Sequence, residues 1–237
     1  MSTINTEGTE MLRPEDTEVW EPVPGVVTPG AGTQPPSDAI VLFDGKDMSE
    51  WVLPENTEWV VEDGIVTVMP SRERQKTPVW IFSKKQFGDI QLHAEWRAPE
   101  KVEGEGQRRG NSGIFLPGRY EIQVLDNYDN PTYVNGQAGS IYKQAIPLVN
   151  ACRRPGEWQT YDIVFKAPRF KADGALESPA YVTVMHNGVL VQNHTEIKGG
   201  TVFIGEPKYI PHPLKQPLGL QDHGDAVSFR NIWLREL

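Results

Sequence analysis

GNSGIFLPGRYEIQVLD, Gly110 to Asp126, is the stretch on which the reading of the fold turns. Apolar side chains recur at every second position on either side of Pro117-Gly118, a turn signal, so it reads as two short strands of a hairpin. Successive side chains on a strand point to opposite faces. In YEIQVLD, Tyr120, Ile122 and Val124 therefore point inward, and Glu121 and Gln123 outward. Asp126 shares their face only if a bulge near Leu125 adds one residue.

The same pattern extends both ways. AIVLF begins at Ala39, followed by WVVEDGIVTVM with a turn at Asp63-Gly64, then VWIFS, IQLHAEWR, TYDIVFKA, YVTVMHNGVLVQN and VSFRNIWLREL. Asn187-Gly188 lies between two alternating runs, the strongest hairpin signal in the chain. PLGLQDHG, Pro217 to Gly224, reads as a loop. No amphipathic helix and no repeat is found. With 237 residues, 38% hydrophobic, 22 glycines and 20 prolines, the chain suits many short strands joined by turns. The expectation is all-β: a two-sheet antiparallel sandwich over residues 38–237. Residues 1–37 are polar and broken by Pro14, Pro22, Pro24, Pro29, Pro35 and Pro36. They read as an extended arm with a disordered tip, held down by Trp20, Val26 and Val27.

A net charge of -9 argues against nucleic acid or an anionic membrane as the partner. No run approaches the ~18 apolar residues of a membrane span. The start, MSTINTEGTEMLRPEDTEVW, lacks a basic segment followed by an apolar one, so no leader is read there. The lone Cys152 excludes an internal disulfide framework, and only Arg153 and Arg154 stand near enough in sequence to activate it as a nucleophile.

In IQLHAEWR, Ile90, Leu92, Ala94 and Trp96 point one way, and Gln91, His93, Glu95 and Arg97 the other. His93, Glu95 and Arg97 are expected to join Glu121 and Gln123 on one polar, curved sheet face, a surface suited to sugars through ring stacking and paired hydrogen bonds. E-I-Q-V-L-D lies close to the E-x-D-x-x-E run of retaining endoglucanases, but Gln123 replaces the central acid. In the last strand, Val227, Phe229, Asn231 and Trp233 alternate with Ser228, Arg230, Ile232 and Leu234.

Taken in order, VLFDGKDMSEW (Val41–Trp51), WVVEDGIVTV, FGDIQLHAEWRAP (Phe87–Pro99), GNSGIFLPGRYEIQVLD, PGEWQTYDIVFKAPRF (Pro155–Phe170), VTVMHNGVLV, PLGLQDHG and VSFRNIWLREL resemble the bacterial 3-keto-disaccharide hydrolases. The resemblance runs from about Ala39 to Leu237. It implies a jelly-roll sandwich related to concanavalin A-like lectins and laminarinase-like glucanases, usually in exported proteins, periplasmic or extracellular. A cytoplasmic protein is the alternative if the start given is the native one. It also implies action on glycosides whose sugar is already a ketone at carbon 3. There a base removes the carbon 2 proton, the enolate expels the group on carbon 1, and water adds back, or the reaction stops at the elimination product as a lyase would. Such a site needs a base, an acid and a donor over the ketone oxygen, not the two closely spaced carboxylates of a retaining glycosidase.

On that chemistry His223 is the first choice for base, with Asp222 or another carboxylate fixing its tautomer. Glu121 is the alternative base, or the acid. Lys143, after Tyr142, stands as a point charge for the enolate oxygen. Gln123 and Asn111 read hydroxyls. His93, Glu95, Arg97 and Tyr142 complete the substrate face. Glu95 and Asp126 are candidate ligands to a divalent cation, which would stabilise an enolate; no other cofactor is implied. Arg230 and Asn231 are read as fixing the sheet, Trp158 as an anchor, and His186, His194 and His212 as solvent-facing loop residues. The alternatives are a non-catalytic lectin-like module, using the same face without a base, and a laminarinase-like glucanase. The oligomeric state is left open.

Overall fold

A computed structural model describes residues 13–117 and 119–237. Its strands, β1 to β15 in chain order, form two main antiparallel sheets in a sandwich-like arrangement. The first holds β1 (Ile40–Phe43), β3 (Trp59–Glu62), β4 (Ile65–Val68), β6 (Ile90–Arg97), β9 (Gln159–Lys166), β12 (Ala180–His186), β13 (Val189–Ile197) and β15 (Ser228–Glu236). The second runs in the order β2 (Trp51–Val52), β5 (Val79–Phe87), β14 (Gln216–Asp222), β7 (Ser112–Leu116), β8 (Tyr120–Val124). β10 (Arg169–Phe170) and β11 (Leu176–Ser178) pair separately.

The two inner faces interdigitate. Ile90, Leu92, Ala94 and Trp96 of the larger sheet share one core with Ile114, Leu116, Tyr120, Ile122, Val124 and Leu220 of the smaller. This is the alternation expected of each strand. Both predicted two-residue turns form: Asp63-Gly64 and Asn187-Gly188 have positive φ at both residues, 50° and 78°, then 53° and 79°. Positive φ at both positions matches the twist of a tight hairpin.

Three expectations need correction. PLGLQDHG is a strand over most of its length, β14, and it lies in the middle of the smaller sheet. Pro217 and Gly219 hide the signal, since both are unusual in a central strand. Pro217 sits near the start of β14, outside the pairing to β7, which is recorded at Gly219 and Leu220. Gly219 is needed because a Cβ there would meet the Phe82 ring at 3.0 Å and Phe115 Cβ at 3.1 Å.

The last strand changes phase. The register of β15 against β6 shifts between Arg230 and Trp233, where Asn231 has φ 47°. This bulge turns Arg230 and Trp233 to the same outer face, opposite Glu95 and His93, while Phe229, Ile232 and Leu234 stay in the core.

The arm is held by Thr33. The Thr33 hydroxyl donates to Glu95 at 2.9 Å, and its carbonyl accepts from Asn231 Nδ2 at 2.7 Å and Trp233 Nε1 at 3.1 Å. Trp20 and Val26 are exposed, so they do not anchor it; Val27 lines a cavity beside His93. The reading of a disordered tip concerns residues outside those described.

Candidate active site

The smaller sheet turns an unusually polar face outward. Phe82, Gly219, Phe115 and Glu121 lie in register across β5, β14, β7 and β8. One row along, Trp80 faces Gln221, and Gly113 faces Gln123. Continuing the register sets Asn111 opposite His223, beyond the last paired residues. Strand parity thus brings Asn111, His223, Gln221, Gln123 and Glu121 to one face.

Two glycines make this face hollow. A Cβ on Gly113 would stand 2.5 Å from Glu121 Oε1. Gly113 therefore leaves room for the carboxyl, as Gly219 does for the aromatic rings.

Glu121 is buried, and its carboxyl has no hydrogen-bond partner among the described residues. Its backbone is pinned instead: N–H donates to Thr201 Oγ1 at 2.9 Å, and the carbonyl accepts from Tyr142 N–H at 3.1 Å. Burial alone pushes the carboxyl pKa up to about 8. Beside it the Tyr133 and Tyr142 hydroxyls share a hydrogen bond of 2.7 Å. Both phenols are pushed up first by burial and further by the Glu121 charge, so they remain proton donors.

The amides form a chain. Gln123 Nε2 donates to Asn111 Oδ1 at 3.1 Å and to Gln107 Oε1 at 3.3 Å, and Asn111 Nδ2 donates to the Gln107 carbonyl at 2.8 Å. Gln123 Oε1 and Gln221 Oε1, both buried, have no partner. A buried polar atom left unpaired costs about 1–3 kcal/mol, and two acceptors left open on one face suit the hydroxyls of a sugar.

His223 is half-buried. Desolvation lowers its pKa, against opposing contributions from its own backbone, then Asp225 and Asp222. Asp222 does not orient it: the Asp222 carboxylate turns to the other side of the strand, where it meets Thr57 Oγ1 at 2.5 Å, Arg74 Nε at 2.6 Å and Gly224 N–H at 2.9 Å. Asp225, which accepts from Asn111 N–H at 2.7 Å, is the carboxylate with the greater pull on the imidazole. Lys143, at φ 58°, donates through Nζ to the Phe203 carbonyl at 2.6 Å and stands 4.2 Å from the Phe203 ring centre.

His93, Glu95 and Arg97 do not belong to this face. They lie on the outside of the larger sheet, across the core from Glu121, because parity assigns a side of a strand without saying which sheet the strand joins. There protein groups engage each of them, with His93 Nε2 left without a hydrogen-bond partner among the described residues. Glu95 accepts from Arg230 at 2.6 Å, Thr33 at 2.9 Å and Asn231 at 3.0 Å. Burial opposes its ionisation, yet these bonds outweigh it and hold the carboxyl below its ordinary value. His93 bonds Asp162 at 2.7 Å and stacks on Trp233, and Trp158 receives Arg97 and Arg230 on its ring.

Asp126 also leaves the site. The alternation does break at Leu125, which enters the core beside Val124, but Asp126 lies past the end of β8 and is committed to Arg109 at 2.5 Å. Glu95 and Asp126, the candidate cation ligands, are thus each committed to an arginine in separate places. No group of three or more His, Cys, Asp or Glu side chains is placed to hold a metal ion among the described residues. His186 is fully buried against Trp96 and Tyr161, its pKa lowered to about 3 by burial and then by Arg153, rather than solvent-facing.

Trp80, Phe82, Phe115, Gln221 and Tyr133 were not among the residues read as functional. Gln221 had a signal, since it stands two residues before His223 and so shares its face.

Fold and site together define a β-sandwich whose smaller sheet carries on its outer face an aromatic-bordered group of polar side chains around a buried carboxyl that has no hydrogen-bond partner among the described residues. The chain belongs to the family of 3-keto-alpha-glucoside-1,2-lyase-like domains, whose model matches residues 38–235. It is 28% identical to a 3-keto-disaccharide hydrolase of Bacteroides thetaiotaomicron over 86% of this chain and 81% of that protein. A crystal structure from Parabacteroides distasonis, described provisionally as a glycosyl hydrolase, is 51% identical, covers 99% of this chain and all of its own, and superposes with a TM-score of 0.88. A second from that organism, under the same provisional description, shares the fold at 22% identity and a TM-score of 0.56, over 84% of this chain and 99% of its own.

Proposed function

We propose that the chain cleaves the glycosidic bond of 3-keto-glycosides by elimination followed by hydration. The observation that carries this reading is Glu121, a buried carboxyl with no hydrogen-bond partner among the described residues, standing between the amide cluster and an aromatic slot. Its raised pKa leaves it protonated at neutral pH, the state required of an acid. His223, its pKa lowered by burial, is a neutral imidazole there, the state required of a base. Environments that push two pKa values apart in this way suit paired acid and base roles.

In this scheme the His223 imidazole takes the proton from carbon 2, and the electron pair enters the carbonyl as an enolate. Tyr142 and Lys143 are the donors near Glu121 for its oxygen. The enolate re-forms the ketone as its carbon 2–carbon 3 electron pair becomes a new double bond between carbons 1 and 2. The carbon 1–oxygen bond breaks with its electron pair on the leaving oxygen, which takes the Glu121 proton. Glu121, now a carboxylate, deprotonates water as it adds to carbon 1, and the imidazolium returns a proton to carbon 2. Asn111, Gln123 and Gln221 hold the sugar hydroxyls.

The membership of the family and the relative acting on 3-keto-disaccharides support this substrate class. The test is turnover of a 3-keto-disaccharide and of its unoxidised parent in D2O. Only the oxidised sugar should be cleaved, its product should carry deuterium at carbon 2, and His223→Ala should lose about 10²-fold in rate. Cleavage without deuterium at carbon 2 would overturn the elimination route, and sugar binding without cleavage of either would favour a lectin-like role.

A further inference from the structure

Glu121 marks a boundary in the cleft. On one side lie the open acceptors Gln123 Oε1 and Gln221 Oε1. On the other is an aromatic slot: Phe115 pairs with Glu121 in register, Phe82 lies in the same row, and Trp80, rooted in the row of Gln221, lines the slot and packs edge-on against Phe115 with ring centres 5.7 Å apart. Val202 and Ile210 close the opposite wall of this slot, whose volume is about 550 Å³. Arg119, next to Glu121 on the outward face, ends it, while the exposed Glu206 and Lys208 stand at its mouth.

The unpartnered polar atoms at this end differ in kind from those at the sugar end. Trp80 Nε1 and Arg119 Nε are buried without partners among the described residues, and both can only donate. A second sugar, ringed with hydroxyls that donate as well as accept, would leave its own donors unmet between these rings and apolar walls. A flat ring with an accepting oxygen meets both the apolar walls and the two donors.

We infer that the slot beyond Glu121 holds the leaving group, and that it is shaped for an aromatic aglycone bearing an oxygen acceptor rather than for a second sugar. This rests on the reading of Glu121 as the acid for the leaving oxygen. The carbon 1–oxygen bond then lies over Glu121, the sugar spans Gln123, Gln221 and Asn111, and the aglycone enters the aromatic side.

Binding tests the slot without chemistry. Calorimetry with unoxidised phenyl glucosides, methyl glucosides (both anomers of each) and cellobiose should show a phenyl glucoside bound about tenfold tighter than its methyl counterpart and tighter than cellobiose, the value of one or two aromatic contacts. Phe115→Ala should remove most of that ratio. Ile210→Ser, at a residue 66% exposed and so tolerant of change, should reduce it with the fold intact. Equal affinities, a preference for cellobiose, or no detectable binding of the phenyl glucosides overturns the inference. A phenyl preference with no cleavage of any 3-keto-glycoside would leave the slot standing and count against the proposed reaction.

Discussion

The two outer faces of the sandwich use similar residues to opposite ends. On the larger sheet, Glu95, Arg230, Asn231, Asp162 and His93 form a nearly closed set of bonds, covered by the arm at Thr33. On the smaller sheet, Glu121 lacks a hydrogen-bond partner for its carboxyl among the described residues, and Gln123, Gln221 and Trp80 each leave a polar atom open. A buried polar group that its neighbours satisfy adds order to the fold; one left unsatisfied is bonding capacity held for a ligand. The lesson concerns partners: charge and burial alone do not separate Glu95 from Glu121, since both are buried. Their pKa values separate, one held down by three donors and the other pushed up by desolvation.

The largest effect expected from breaking this contrast is in Glu121→Gln. The amide fits the same space but cannot transfer a proton, and kcat for a 3-keto-glycoside should fall about 10³-fold. In the native protein the rate should fall as pH rises through about 8, where the acid loses its proton. It should also fall as pH drops below the lowered pKa of His223, where the base is charged. Stability follows the same group. Its folded pKa of about 8 lies above the ordinary 4.5, so its contribution is fully present below 4.5 and is lost as pH rises toward 8. Glu121→Gln should therefore flatten stability against pH over that window, measured by urea unfolding. A variant with native kcat would sink the acid assignment.

Glu95→Ala should do the reverse. It leaves Arg230 Nε and the Thr33 hydroxyl without that acceptor, and Asn231 with only the Thr33 carbonyl, and stability should fall by about 2 kcal/mol, less than for a fully buried pair because Arg230 is partly solvated. Turnover at a temperature where the variant is folded should stay within about twofold, since Glu95 lies across the core. A large loss of kcat with unchanged stability would reinstate the larger sheet's face as catalytic.

Much of this contrast was legible in the sequence and part was not. The alternation in IQLHAEWR, and in YEIQVLD as far as Val124, placed the side chains on their correct sides, because a period of two is dictated by the backbone; Leu125 breaks it by entering the core beside Val124. It could not say that the two strands enter different sheets, which is decided by long-range pairing, so His93 and Glu95 were set beside Glu121. The strand carrying Gln221 was hidden because Pro217 and Gly219 obey the neighbours rather than strand propensity. Trp80, Phe82 and Phe115 carry no local signal of their place; only the pairing through Gly219 brings them to the outer face beside Glu121. The alternation read through the last strand fails at Asn231, whose bulge shifts the phase.

The smallest effect is at the arm. Thr33→Val removes one hydroxyl bond to Glu95 but leaves the Thr33 carbonyl free to accept from Asn231 and Trp233, which are backbone contacts that the substitution spares. Glu95 keeps Arg230 and Asn231, so no buried charge is stranded. Stability should fall by about 1 kcal/mol or less, and hydrogen exchange should quicken in residues 28–37 while the strands keep their protection. Exchange spreading into β6 and β15 instead would mean that the arm is part of that sheet's cooperative unit, and the covered face would owe its closure to the arm as much as to its own ion pair.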